Sequence, residues 1–142
     1  MYIAIGADHR GFGQKAYIQK TITDHQWIDA GAYNQERSDY PIFANNVCQY
    51  IKTDKAERGI LLCGTGIGMA IAANRFSHIY AALVWNKEIA IKSREDDWSN
   101  ILVLPSDYLL HDEVITIIYA WLDAKPKGGR YQKRIEMIDA LK

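Results

Sequence analysis

The sequence predicts an α/β protein, a three-layer α/β/α sandwich around a five-stranded parallel sheet of Rossmann-like layout with an extra C-terminal helix. Three observations predict it. Short apolar runs of four to six residues alternate along the chain with longer amphipathic segments. The runs lack an apolar–polar alternation, as expected of parallel strands covered on both faces. The 142 residues are enough to bury one sizeable core but not two, so residues 1–142 read as a single domain.

Taken in order, the first strand spans Tyr2 to Ala7 and runs into the polar loop Asp8-His9-Arg10-Gly11. The second is brief, around Trp27 to Ala30. A helix follows on which Phe43, Val47, Tyr50 and Ile51 share one face. The third strand, Gly59 to Cys63, ends in Gly64-Thr65-Gly66-Ile67-Gly68, and a helix is expected from about Gly66 to Asn74. The fourth strand spans Ile79 to Val84 and the fifth Ile101 to Leu104. The next helix, which His111 starts, places Val114, Ile117, Ile118 and Trp121 on one face. Pro126 and the pair Gly128-Gly129 then break the helical pattern and allow a sharp change of direction. A final helix begins near Arg130, with Ile135, Ile138 and Leu141 on one face. Strand alternating with helix requires crossovers, hence a parallel sheet with helices on both sides.

Composition narrows the function. Lys plus Arg number 17 and Asp plus Glu 17, so there is no basic excess to attract a nucleic acid. Two cysteines, Cys48 and Cys63, are too few for a disulfide framework. No stretch is long and apolar enough for a signal peptide or a membrane span. A reducing cytoplasm is the expected compartment.

Ligands of open parallel sheets bind beyond the carboxyl ends of the strands, which brings forward the loops after the first and third. Gly64, Gly66 and Gly68 let the backbone approach a ligand closely and turn its amides inward as an anion nest. The helix N-terminus there adds positive potential, suited to a phosphate or to an enediolate. Cys63 stands beside it and is expected to carry a lowered pKa as a thiolate base or nucleophile. Read alone, it is equally the last buried residue of a strand. The glycine spacing is not the dinucleotide fingerprint and follows the wrong strand, and no P-loop pattern occurs. Arg130 and Arg134, four apart on one helix face, suit a phosphate clamp or a solvated charged face. No cluster of metal-ligand spacing is found in the sequence.

Four blocks in order carry a family resemblance over essentially the whole chain. They are Gly6-Ala7-Asp8-His9; Glu36-Arg37-Ser38-Asp39-Tyr40-Pro41; Cys63-Gly64-Thr65-Gly66-Ile67-Gly68-Met69 with Ala72-Ala73-Asn74; and Gly128-Gly129-Arg130 with Arg134. The chain resembles the ribose-5-phosphate isomerase B and galactose-6-phosphate isomerase family of sugar-phosphate isomerases. The resemblance implies an aldose–ketose isomerase, interconverting ribose 5-phosphate and ribulose 5-phosphate first of all. Cys63 would move a proton between C1 and C2, the amides of Gly64, Gly66 and Gly68 would hold the enediolate, and Thr65 would assist. Asp8 and Tyr40 would contact sugar hydroxyls, and His9, Arg130 and Arg134 the phosphate. It implies no cofactor, and a homodimer or dimer of dimers whose site is shared, the helix from about residue 129 packing on the partner.

The departures are as informative. Members that open a furanose ring commonly carry His-Asn where this chain has Asp96-Asp97, and often an arginine tied to phosphate where it has Asp107. These carboxylates add negative charge near a site meant for an anion. Either Asp96 takes over ring opening, as a partly buried carboxylate tuned for proton transfer, with Asp97 beside it at the substrate, or the segment is a surface turn and the substrate arrives open. Another sugar or a hexose 6-phosphate, a non-catalytic sugar-phosphate-binding subunit and, last, a nucleotide-binding module complete the alternatives. His25, His78 and His111 are expected to be structural or solvated.

Overall fold

The computed structural model describes residues 1–141. The strands are β1 (Tyr2–Ala7), β2 (Gln26–Asp29), β3 (Arg58–Cys63), β4 (Ala81–Leu83) and β5 (Ile101–Pro105). The helices are α1 (Phe12–Thr21), α2 (Tyr40–Lys52), α3 (Ile67–Ala73), α4 (Lys87–Asp97), α5 (His111–Asp123) and α6 (Arg130–Asp139). All strand pairs are parallel, in the order β2-β1-β3-β5-β4. The expected sandwich is therefore the observed one.

The unbroken apolar runs have a clear physical cause. Alternate residues of a strand face opposite sides, and here each side meets its own helices. Ile3, Ile5, Ile60, Leu62, Leu102 and Leu104 pack with Ile18, Ala90, Val114, Ile118 and Trp121 of α1, α4 and α5. Ala4, Leu61, Cys63, Ile101 and Val103 pack with Ala44, Val47, Cys48, Met69 and Ala73 of α2 and α3. The sheet thus separates two cores, and Cys63 belongs to the α2/α3 side.

The fourth strand is shorter than the apolar run Ile79 to Val84 suggests. It lies at the sheet edge, where Asn74 satisfies both the N–H and the C=O of Ala81 and the Asn100 side chain accepts from the Tyr80 amide. Side chains thus take up the backbone groups that a longer strand would have paired. The final helix, α6, packs on α4 and buries only Ile135, leaving Met137 and Ile138 exposed; it ends at Asp139, so Leu141, expected on the same helix face, lies beyond it and is exposed as well. No helix among the described residues is long and apolar enough to cross a membrane.

Candidate active site

The carboxyl ends of β1, β3 and β5 meet at one edge of the sheet, and Cys63 closes β3 there, paired in register with Pro105. The residue is 5% exposed and its Sγ accepts the Gly66 N–H at 3.2 Å. Gly66 takes φ +75, a left-handed conformation, to turn the chain from strand to helix within three residues. Thr65 is exposed at the crest of the turn, its Oγ1 accepting from the Ile67 amide at 3.3 Å. The thiol departs from the expected lowered pKa. Burial pushes it up, and the amides of Met69, Gly66 and Thr65 pull it down without prevailing, while Asp8 adds to the rise.

Asp8 is buried beside this turn, where its Oδ1 accepts from the amides of Arg10 at 2.9 Å and Gly11 at 3.1 Å. This shapes the loop after β1. His9 is locked to the segment before α2, its amide donating to Ser38 Oγ and its Nδ1 accepting from the Ser38 amide, both at 3.2 Å. With Nδ1 accepting, the neutral ring carries its proton on Nε2, a donor suited to an anionic oxygen. Tyr40, at the first turn of α2, lies across Gly68, where an added Cβ would sit 2.5 Å from Tyr40 Cζ. Gly68 is thus a place where only hydrogen fits under the ring. Asp8, His9, Tyr40, Cys63, Thr65 and the glycines Gly64, Gly66 and Gly68 accordingly gather at one edge.

The other expected residues do not join them. Helix α4 leaves the carboxyl end of β4 and returns to the start of β5, so Asp96 and Asp97 lie toward the amino edge of the sheet. The four residue steps of β5 alone cover about 13 Å. Arg130 and Arg134 go with them, for α6 packs on α4. Both guanidiniums lie over the Tyr131 ring, at 5.1 and 5.8 Å, and the Arg130 guanidinium also donates to Tyr131 Oη at 3.1 Å.

Asp96 is not a carboxylate tuned toward proton donation. Lys127 Nζ stands 2.9 Å from its Oδ1 and 2.8 Å from Glu95 Oε2, and this hydrogen bond holds the Asp96 carboxyl below its usual range. Asp97 goes the other way, raised by burial and by Asp96 against the opposing charge of Arg134. The Lys127 segment is itself tied down, its amide donating to the Glu95 carbonyl and its carbonyl accepting from Trp98 Nε1, both at 2.8 Å.

Asp107, expected to add negative charge, is neutralised as well, since the Arg10 guanidinium bonds its carboxylate. Neither Lys127 nor Arg10 stood out in the sequence as a site residue. A carboxylate at Asp107 and an arginine directly after Asp8-His9 were the available signs. Of the other histidines, His111 stacks on Tyr17 with centroids 4.5 Å apart and His78 lies 3.4 Å from Asp139, both apart from Cys63. Among the described residues no three His, Cys, Asp or Glu side chains converge as a metal-ligand set.

Comparison with known proteins gives one consistent answer. The model of the Ribose/Galactose Isomerase family matches residues 3–138. Ribose-5-phosphate isomerase B of Escherichia coli is 38% identical over 141 residues, covering 98% of this chain and 95% of that one. The crystal structure of a ribose 5-phosphate isomerase from Thermotoga maritima superposes with a TM-score of 0.97 at 39% identity, over 99% of this chain and 98% of that one. D-erythrulose-4-phosphate isomerase of Pectobacterium atrosepticum is 36% identical over 143 residues, covering 96% of this chain and 91% of its own length.

Proposed function

Because the chain belongs to the ribose/galactose isomerase family, we propose that it interconverts ribose 5-phosphate and ribulose 5-phosphate with Cys63 as the base. The observation that carries this reading is the Gly66 N–H 3.2 Å from Cys63 Sγ. It sets the thiol at the mouth of a turn whose backbone amides favour negative charge. In the open-chain aldose the Cys63 thiolate takes the proton from C2. The C2–H electrons form the C1–C2 double bond, and the carbonyl electrons move to O1, giving an enediolate. The thiol then returns its proton to C1 while the O2–H proton passes to O1, which leaves the ketose. The Gly64–Gly68 turn stabilises the oxyanion, Thr65 stands beside it, and Asp8 and Tyr40 orient the sugar hydroxyls. No step uses a metal or an organic cofactor.

The site is completed by a second copy of the chain. His9 meets one end of the phosphate, and Arg130 and Arg134 of the partner meet the other. The support is the separation within one chain between the Cys63 edge and the α4/α6 edge. Changing Cys63 to Ala tests the base, with an expected loss on the order of 1,000-fold in kcat and the fold intact. Unchanged turnover would sink the assignment. A binding subunit without catalysis predicts that the unaltered chain turns over no sugar.

A second reading keeps the chemistry and changes the substrate. Lys127 holds Asp96 as an ionised acceptor, which disfavours it as the acid that opens a sugar ring. A four-carbon sugar phosphorylated on its C4 oxygen has no hydroxyl left to close a furanose and needs no ring opening. The similarity to a D-erythrulose-4-phosphate isomerase points the same way. Comparing kcat/KM for ribose 5-phosphate and erythrulose 4-phosphate decides between the two.

A further inference from the structure

The loop after β1 and the turn after β5 are joined over the end of β3. These strands flank β3 on either side, so a side chain reaching from one loop to the other must cross the carboxyl end of the strand that bears Cys63. Arg10 makes that crossing and bonds the Asp107 carboxylate. The pair rests on Gly64, where an added Cβ would lie 2.7 Å from Arg10 Nε and 2.9 Å from Asp107 Oδ2. Backbone contacts fix both ends, the Arg10 amide on Asp8 Oδ1 at 2.9 Å and the Asp107 amide on the Gly64 carbonyl at 3.0 Å.

A surface ion pair by itself does little, yet this one is unevenly used. The Arg10 side chain is 58% exposed and Asp107 31%. Only Nη2 of the guanidinium is taken up by Asp107, and among the described residues Nε and Nη1 have no hydrogen-bond partner. The carboxylate is covered and oriented, while the cation keeps free donors and faces solvent beside the Cys63 loop. A guanidinium stays charged at any physiological pH and offers a planar fork matched to phosphate oxygens. The position next to His9, whose Nε2–H is also free, brings two donors from one loop to the same edge.

We propose that Arg10, positioned by Asp107, binds the phosphate of the substrate and is a specificity-determining residue of this chain. The inference rests on the sugar-phosphate reading above and adds to it a residue that the family resemblance did not supply. It also accounts for an acidic residue at position 107. Asp107 serves as the anchor that aims the cation across β3 rather than as a repulsive charge.

Inorganic phosphate is the probe, titrated calorimetrically into the full-length protein and into Arg10→Ala, Arg10→Lys, Asp107→Asn and the exchange Arg10→Asp with Asp107→Arg. Loss of a charged hydrogen-bond donor should weaken phosphate binding on the order of 10–100-fold in Arg10→Ala. Arg10→Lys should recover part of it, and the exchange should bring the affinity back to within about fivefold, since a guanidinium again spans the same bridge. Asp107→Asn should weaken binding severalfold by freeing the cation from its anchor. With sugar phosphate, Arg10→Ala should raise KM and leave kcat within about threefold, the signature of ground-state binding. Unchanged phosphate affinity in Arg10→Ala would overturn the proposal, as would an exchange variant that recovers melting temperature but not affinity. A fall in kcat alone would reassign Arg10 to the enediolate and overturn it too. The titration needs no turnover, so an unaltered chain inactive on every sugar phosphate would refute the isomerase reading while leaving the test of Arg10 standing.

Discussion

Two inactive variants of this chain should restore each other's activity. Within one chain the Cys63 turn and the Arg130/Arg134 cluster, which lies with α6 against α4, are held toward opposite edges of the sheet. If each site combines the two from different copies, a two-fold dimer holds two sites, each with Cys63 from one chain and the arginines from the other. Let one parent carry Cys63→Ala and the other Arg130→Ala with Arg134→Ala. Each homodimer is then damaged at both sites. In the mixed dimer one site is doubly damaged and the other is whole, since the second parent supplies its cysteine and the first its arginines. Random reassortment of equal amounts makes about half of the dimers mixed, so activity should climb to about one quarter of the unaltered enzyme. The assay is ketose formation from ribose 5-phosphate after mild denaturation and refolding together, with each parent refolded alone as control. A mixture no more active than its parents would refute the shared site.

Other expectations follow from particular contacts. Burial raises the Cys63 thiol, so its thiolate is the minority form at neutral pH and kcat/KM should climb about tenfold per pH unit through the alkaline range until the thiol is ionised. A flat profile would count against a thiolate base. The fold favours the protonated form of both thiols, Cys63 and Cys48, the latter pushed up to about 12 by burial. Their contribution to stability is therefore complete below the unfolded thiol pKa and is lost as pH rises through the folded values, visible as a falling melting temperature. Gly66→Ala places a Cβ at φ +75 and 2.5 Å from Leu83 Cδ1, which should cost about 1–2 kcal/mol and lower Tm by about 3–8 °C. Trp98→Phe removes the indole donor to the Lys127 carbonyl. Amide exchange over residues 125–129 should quicken about five- to tenfold, with the alkylation rate of Cys63 unchanged.

Local pattern made most of the architecture legible. Five apolar runs and their intervening amphipathic segments suffice to specify a parallel sheet, because the side-chain periods of strand and helix are written into every few residues. Cys63 and its glycines were legible for the same reason, as consecutive positions. What escaped were quantities that depend on distant partners. Lys127 meets Asp96 across 31 residues and Arg10 meets Asp107 across 97, and an ion pair leaves no periodic trace. The direction of the Cys63 shift is not legible either, because it is a balance between burial and amide hydrogen bonds, and sequence supplies only the amides. The short β4 depended on Asn74 and Asn100, whose caps are indistinguishable in sequence from ordinary surface asparagines.

The division of the sheet into two cores has a bearing on how the protein can change. Cys63, Tyr40 and Met69 are carried on the α2/α3 side, whereas the bulk of the large buried side chains, Trp121 among them, sit on the other. Substitutions on opposite faces share few neighbours, so their effects on stability should add. A variant with a better-filled α1/α4/α5 layer therefore gains a reserve against which changes beneath the Cys63 turn can be tolerated. The backbone of β3 acts as a partition, and residues such as Met69 or Val47 are open to exploration in search of a different sugar without repacking the other half of the molecule.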